Sequence, residues 1–381
     1  MSKAKHTGQP RSTTYISLFL CGDVMTGRGI DQILPYPSEP TLHESYVKNA
    51  KEYVRLAEKT SGAIPKPADF AYVWGDVIRE LEQNVPDVRI INLETSVTKS
   101  NDYWKAKEIH YRMNPQNMPC IITAKIDFCS LANNHVLDWG YVGLTETMAT
   151  LKKAKLKSSG AGENLEQASA PAVADVANKG RALLFAYGAL DSGIPPAWAA
   201  DANKPGVNLL HDYSAGTVQS IKETVKRTKK QNDVAVFSIH WGANWGYTIP
   251  PEHREFVHQL IDEANVDVVH GHSSHHVKGI EVYAGKLILY GCGDFLNDYE
   301  GIGGYEEFRG DLSLMYFANV EPSTGKLASL RMVPTQIKRF RVNRAARTDA
   351  EWLKTTLNRE GKKLGTRVDL NADNSLTLMW S

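Results

Sequence analysis

The sequence lacks the features that would place it in several common classes. Its 381 residues include only four cysteines, Cys21, Cys120, Cys129 and Cys292. None forms a Cys-x-x-Cys pair, and three lie in apolar runs, so they read as buried free thiols and not as a disulfide framework. No apolar stretch approaches the roughly 20 residues needed to span a bilayer. Neither sign of charge is in excess: 44 Lys plus Arg stand against 43 Asp plus Glu. A net charge of +1 gives no electrostatic footing for nucleic acid or an anionic membrane. There is no Walker P-loop, because Gly27-Arg28-Gly29 lacks the spacing and the Lys-Ser/Thr pair. A Gly-x-Ser-x-Gly elbow is also missing. The first fourteen residues are polar and basic, and the apolar run Ile16 to Cys21 is too short for a signal-peptide core. These absences lead to the expectation of a cytoplasmic protein with a disordered tail over residues 1–14 and a single domain over residues 15–381.

What is present is an alternation of short apolar runs with helical patterns, the mark of α/β architecture. The chain is 42% hydrophobic, ample for a large core. Strands are expected at 15–21, 87–93, 127–132, 172–176, 181–187, 233–239 and 266–269. Helices are expected at 45–59, 70–83, 140–155, 215–229 and 252–264. From residue 279 the pattern turns to β: 279–283, 286–290, 312–320, 327–333 and 376–380, with one more helix at 349–360. An α/β first half that finishes in mixed strands suggests two packed sheets with helices outside.

Five of the apolar runs end abruptly in residues that bind metals. In open α/β sheets ligands gather outside the carboxyl ends of the strands, so such termini share a rim. After Phe19-Leu20-Cys21-Gly22 comes Asp23, either a carboxylate projected from a sharp turn or a helix N-cap. Arg28 follows on a short helix, as a bidentate anion clamp or a surface arginine. Glu94 ends Ile90-Ile91-Asn92-Leu93, as a metal carboxylate or a salt-bridge partner. Asn133-Asn134-His135 after a buried strand is poor strand chemistry and poor helix chemistry. Asn134 offers a neutral carbonyl ligand and His135 a ligand or proton donor, with Asp138 three residues on to orient it. His240 ends Val236 to Ile239. His270, His272, His275 and His276 fall within seven residues after a β-branched strand, and imidazole suits zinc, iron and nickel. In a turn His272 and His275 can face one centre, which leaves His270 and His276 for support.

In this order the segments Gly22-Asp23…Arg28, Asn92-Leu93-Glu94, Asn133-Asn134-His135…Asp138, His240-Trp241-Gly242, Gly271-His272…His275 and Gly293-Asp294-Phe295 resemble the CapA family. That family is associated with capsule and poly-γ-glutamate biosynthesis, within the calcineurin-like metallophosphoesterase superfamily. The resemblance covers residues 15 to about 300. It implies an α/β/β/α sandwich of two mixed sheets with a centre of one or two divalent ions (Mn, Fe, Zn or Mg) between them. It assigns Asp23, Glu94, Asn134, His240, His272 and His275 to the metal and His135 to catalysis. Asp138 and Arg28 complete the expected catalytic set. The implied reaction is hydrolysis by activated water, of a phosphoester first and of a γ-glutamyl or other amide second. A non-enzymatic accessory in polymer synthesis is the third reading. The expected partner is a small molecule or an anionic polymer, with neither nucleic acid nor membrane involved. Three positions depart from the pattern: Met25 stands where Asp-x-His is usual, Asn244 where an acidic residue often follows His-Trp-Gly, and Asp294 where Gly-Asn-Phe is common.

Overall fold

The computed structural model describes residues 15–381. The expected tail at 1–14 lies outside the described residues. Two large sheets form the body. The first runs in the order Thr366–Leu370, Leu376–Trp380, Lys326–Ile337, Leu312–Glu321, Ile16–Val24, Val88–Leu93, Phe128–Ser130 and Lys157–Ser159. The last four of these strands are parallel to one another. The second sheet runs Leu209–Leu210, Gly180–Ala189, Asp233–His240, Val268–His272, Lys286–Leu289 and Ile280–Tyr283, and Ala172–Val176 also pairs with Gly180–Ala189.

Alternation along the strands shows how the layers stack. In Ile16–Val24, Leu18 and Leu20 point into a cluster shared with Leu184, Val236, Val268 and Leu314 from both sheets. Phe19 and Cys21, on the opposite face, join Trp74, Leu144 and Ile91 under the helices outside the first sheet. Phe237 and Ile239 alternate in the same way toward Phe256, Val257 and Leu260 outside the second sheet. Period-two side chains with apolar residues on both faces mark strands covered on both sides. The architecture is therefore helix, sheet, sheet, helix, the expected α/β/β/α sandwich. The four cysteines are buried and free, and among the described residues no helix is long and apolar enough to cross a membrane.

Two expected helices are shorter than their patterns. The 45–59 segment is helical only over Lys51–Ser61. The 70–83 segment splits into the short turn Tyr72–Trp74 and the helix Val77–Asn84. Gly75 breaks it at φ +47, packed so closely that a Cβ would lie 2.4 Å from the Val342 carbonyl oxygen. A long-range contact thus overrides a good local helical pattern. The strands Asp294–Leu296 and Thr366–Leu370 were not expected from the pattern. The first of these bears on the site.

Candidate metal centre

The rim is built from strand ends. Asp23 sits near the carboxyl end of Ile16–Val24, where the pairing with Val88–Leu93 slips between Leu20 and Asp23. Such an irregularity re-aims a side chain. On its other side the strand pairs Asp23 with Asp294. This approach requires glycine at 22: a Cβ there would lie 1.7 Å from the Gly293 carbonyl oxygen. Asn92 Nδ2 donates to Asp23 Oδ1 at 2.7 Å, and the Ser273 N–H donates to Oδ2 at 3.1 Å. Ser273 holds φ +96 to do so; sparsely populated backbone of this kind costs about 1–3 kcal/mol and clusters at functional sites.

Glu94 follows the strand Val88–Leu93, and its N–H bonds to the Val24 carbonyl at 3.0 Å. His240 and His272 close their strands as register partners, and their Nδ1 atoms lie 2.9 Å apart. His272 Nδ1 is 3.7 Å from Asp23 Oδ1, and His240 Nε2 is 4.0 Å from Glu94 Oε1. Ligand atoms of Asp23, His240 and His272 lie within 4.8 Å of one another, as do those of Asp23, Glu94 and Asp294. All five of these side chains are buried.

His135 approaches from the Asn-Asn-His loop. Its Nε2 is 3.8 Å from Glu94 Oε1, and its Nδ1 is 2.6 Å from Asp138 Oδ2. Asn133 shapes the loop, donating to Asn92 and the Leu93 carbonyl and accepting from the His135 N–H. The Lys107 ammonium bonds the Asp138 carboxylate and the Asn134 carbonyl oxygen, and it lies 3.1 Å from His135 Nδ1. The Tyr111 ring stacks on the imidazole at 3.7 Å between centroids. The side-chain oxygen of Asn134 is buried and has no hydrogen-bond partner.

His275 reaches the cluster through Asp294, with Nδ1 3.0 Å from both carboxylate oxygens. Asn297 also donates to Asp294, at 2.8 Å. His270 and His276 are held elsewhere: His270 bridges Ser238 and the Cys21 carbonyl between the sheets, and His276 accepts from the Gly246 N–H. Arg28 is buried and engaged on both edges, with Glu44 at 2.9 Å and Asp298 at 2.5 Å. Its charge is already answered by two carboxylates. A cavity of about 700 Å³ opens beside the cluster, lined among others by Arg28, Tyr111, Trp245, His275, Asp294 and Tyr299.

Burial and like charge push Asp23 up to about 7, with Asp294 the main neighbour responsible. Glu94 is raised well above the usual carboxylate range by burial and then by Asp23. His240 and His272 are held well below the usual imidazole range by burial and nearby histidines, so their nitrogens carry lone pairs at neutral pH. Two like charges about 4 Å apart repel by about 4 kcal/mol at an effective dielectric near 20. Among the described residues no Lys or Arg forms an ion pair with Asp23 or Glu94. Clustered carboxylates, neutral imidazoles and an unpartnered amide oxygen make a donor set that could hold a divalent cation. The residues fit the metal that the sequence motifs imply.

Sequence reasoning missed Asp294, Asn92, Lys107 and Ser238 as parts of the site. For Asp294 a signal existed: Cys21-Gly22-Asp23 and Cys292-Gly293-Asp294 are the same tripeptide, and the fold sets them side by side. Lys107 lies in a loop with no periodic pattern to flag it.

Residues 17–299 match the family model described as bacterial capsule synthesis protein PGA_cap. The chain is 45% identical over 365 residues, 96% of each chain, to a probable polyglutamine synthesis accessory protein of Mycobacterium tuberculosis. It is 30% identical over 209 residues, 54% of this chain and 52% of the relative, to the PGA biosynthesis protein CapA of Bacillus subtilis. With the capsule biosynthesis protein CapA of Bacillus anthracis it shares 25% identity over 291 residues, 76% of this chain and 61% of the relative. A family match over most of the chain, on a sandwich fold consistent with the metallophosphoesterase superfamily, leads to one assignment: the chain belongs to the CapA (PGA_cap) family of bacterial capsule synthesis proteins.

Proposed function

We propose that this protein is a metal-dependent hydrolase that cleaves a phosphoester in capsule or poly-γ-glutamate metabolism. The observation that carries this reading is the buried set Asp23, Glu94, His240 and His272, with ligand atoms facing one another and no Lys or Arg ion-paired to either carboxylate among the described residues. These four, with Asn134, would hold the cation, and the expected ligand His275 reaches them only through Asp294. When bound, a divalent ion supplies Lewis acidity and makes water acidic enough to attack at neutral pH.

The chain's own residues do the rest. His135 is held well below the usual imidazole range by burial, then by Lys107 and Arg28, so it enters the reaction neutral. With Nδ1–H directed at Asp138, its Nε2 faces the centre as a proton acceptor. It takes a proton there and returns it to the leaving oxygen, a role worth about 10²–10⁴-fold in rate. Asp138 fixes the tautomer, and Lys107 and the Tyr111 N–H fix Asp138. Arg28 positions the cavity wall, its guanidinium over the rings of Tyr53 and Tyr111.

The cavity favours a compact substrate over a long polyanion. Its lining sets Arg28, Arg309 and Lys338 against Asp294, Glu300, Glu306 and Asp311, and Trp245 stacks on Tyr305 at 4.3 Å along one wall. A phosphoester carrying an apolar or sugar group suits such walls. Purified protein reloaded with Mn²⁺, Fe²⁺ or Zn²⁺ should hydrolyse aryl phosphate mono- or diesters, and Asp23→Asn should abolish turnover. A metal-loaded protein inert toward every phosphoester offered refutes the phosphoesterase reading.

A second reading is hydrolysis of a γ-glutamyl or other amide, prompted by the likeness to the PGA biosynthesis protein CapA of Bacillus subtilis. Release of glutamate from γ-glutamyl peptides, lost in Asp23→Asn, would select it over the first.

A further inference from the structure

We infer that the centre is asymmetric: Asp294 completes an all-oxygen position with Asp23 and Glu94, which takes a hard cation such as Mn²⁺ or Mg²⁺ beside a nitrogen-rich position at Asp23, His240 and His272. The inference rests on the reading of a divalent-metal centre and adds a residue and a metal class to it.

The duplicated tripeptide carries the argument. Cys21-Gly22-Asp23 lies near the end of Ile16–Val24 and Cys292-Gly293-Asp294 leads into the parallel strand Asp294–Leu296, with Asp23 and Asp294 as register partners. The Asp23 N–H donates to the Gly293 carbonyl at 3.0 Å, which locks the two segments together. One tripeptide, extended at Gly22 and at φ +75 at Gly293, thus presents two carboxylates to one point, and Glu94 supplies the third. Glu94 is only 4% exposed, and the nitrogens it faces, 3.8 and 4.0 Å away, belong to His135 and His240, imidazoles that burial holds neutral. A buried carboxylate placed in this way lacks a counter-ion.

Residue 25 adds no donor to this position. The Met25 sulfur accepts the Gly27 N–H at 3.1 Å and is spent on its own turn; a thioether is also a poor ligand for hard cations. With residue 25 supplying no ligand, Asp294 provides the carboxylate oxygen beside Asp23 and Glu94. The two positions then differ in kind. Three carboxylates suit Mg²⁺ or Mn²⁺, and two imidazoles with one carboxylate suit Zn²⁺ or Fe²⁺. Asp294 and His275 also line the cavity, so the oxygen position is the one beside the substrate space.

The test uses the full chain, stripped of metal, reloaded with one equivalent of Zn²⁺ and titrated with Mn²⁺ by electron paramagnetic resonance, with total metal measured separately. The wild type should bind one Mn²⁺ beside its Zn²⁺. Asp294→Asn should keep the Zn²⁺ and weaken Mn²⁺ binding by at least about tenfold. The reciprocal His272→Asn should weaken Zn²⁺ and still take Mn²⁺, which covers the case in which Asp294→Asn fails to fold. Mn²⁺ binding unchanged in Asp294→Asn overturns the inference, as does a wild type that holds one ion only. Loss of both ions in both variants, each shown folded by circular dichroism, also overturns it. A wild type that binds no ion at all refutes the metal reading itself.

Discussion

Asp138 Oδ2 lies 2.6 Å from His135 Nδ1, and the opposite ring nitrogen stands 3.8 Å from Glu94. The pair fixes which nitrogen carries the proton and aims the other at the carboxylate–histidine cluster. Replacing Asp138 by Asn removes the anionic acceptor and allows the other tautomer. Turnover should fall by about 10²-fold or more while metal content is unchanged. Nitrogen NMR of the His135 ring provides the check independent of substrate: the Nδ1–H form in the wild type, and a shift toward the Nε2–H form in the variant. An unchanged tautomer would remove the assigned role from Asp138.

Asp23 should make the metal-free protein sensitive to alkali. Its carboxyl is raised to about 7 by burial and Asp294, from an ordinary value near 3.8. A raised acid binds its proton more tightly in the folded state than in the unfolded chain. Its contribution to stability is therefore complete below the unfolded value and is lost as pH rises through about 7. In chelator, the wild type should lose melting temperature relative to Asp23→Asn between pH 5 and pH 8. Comparing the two chains cancels the opposite trend from the buried histidines His240 and His272. A constant difference across that range contradicts the raised value. Divalent metal should remove the effect by replacing the proton.

Ser238 should matter to the metal without touching it. Its hydroxyl lies 2.9 Å from His272 Nε2 and 3.2 Å from His270 Nδ1. It therefore fixes the ring that turns Nδ1 toward Asp23. Groups that orient a metal-bound histidine are worth about 10–100-fold in affinity. Ser238→Ala should weaken Zn²⁺ binding by that factor, measured by competition with a chromophoric chelator, with little change in melting temperature of the metal-free chain. Unaltered affinity would show that packing alone orients His272.

Gly22 is a packing requirement with a chemical consequence. A Cβ at this position would lie 1.7 Å from the Gly293 carbonyl oxygen, and backbone cannot yield as a side-chain tip can. Gly22→Ala should destabilise by about 3 kcal/mol or more in chemical denaturation, and it should separate Asp23 from Asp294. Gly62→Ala is the comparison, since nothing lies within 4 Å of a Cβ there, although its φ of +92 carries its own strain. If Gly22→Ala costs no more than Gly62→Ala, the close approach of the two turns is wrong.

The periodic parts of the fold could be read in the sequence. Strands covered on both faces announce themselves as short apolar runs, and their carboxyl ends announced Asp23, Glu94, His240 and His272. Sequence could not say which ends meet, because that depends on register between strands far apart in the chain. Asp294 belongs to a three-residue strand that pairs across some 270 positions, too short for any periodicity. Lys107 is half-buried in a loop without pattern and becomes part of the site only through its contacts with Asp138 and Asn134. Arg28 reads as an anion clamp on chemistry alone, and only the folded chain shows Glu44 and Asp298 already bound to it. The helix expected over 70–83 failed at Gly75 for a related reason: its local pattern is good, but Val342 from the far end of the chain occupies the space.

The central claim is that Asp23, Glu94, His240 and His272 are ligands of a divalent metal. Metal analysis of the purified full chain, paired with its melting temperature before and after chelation, tests this most directly. The account predicts stoichiometric divalent metal, a lower melting temperature in chelator, and loss of both the metal and the shift in the double variant Asp23→Asn/His272→Asn. A protein that binds no divalent metal, and whose melting temperature chelator leaves unchanged, would contradict it.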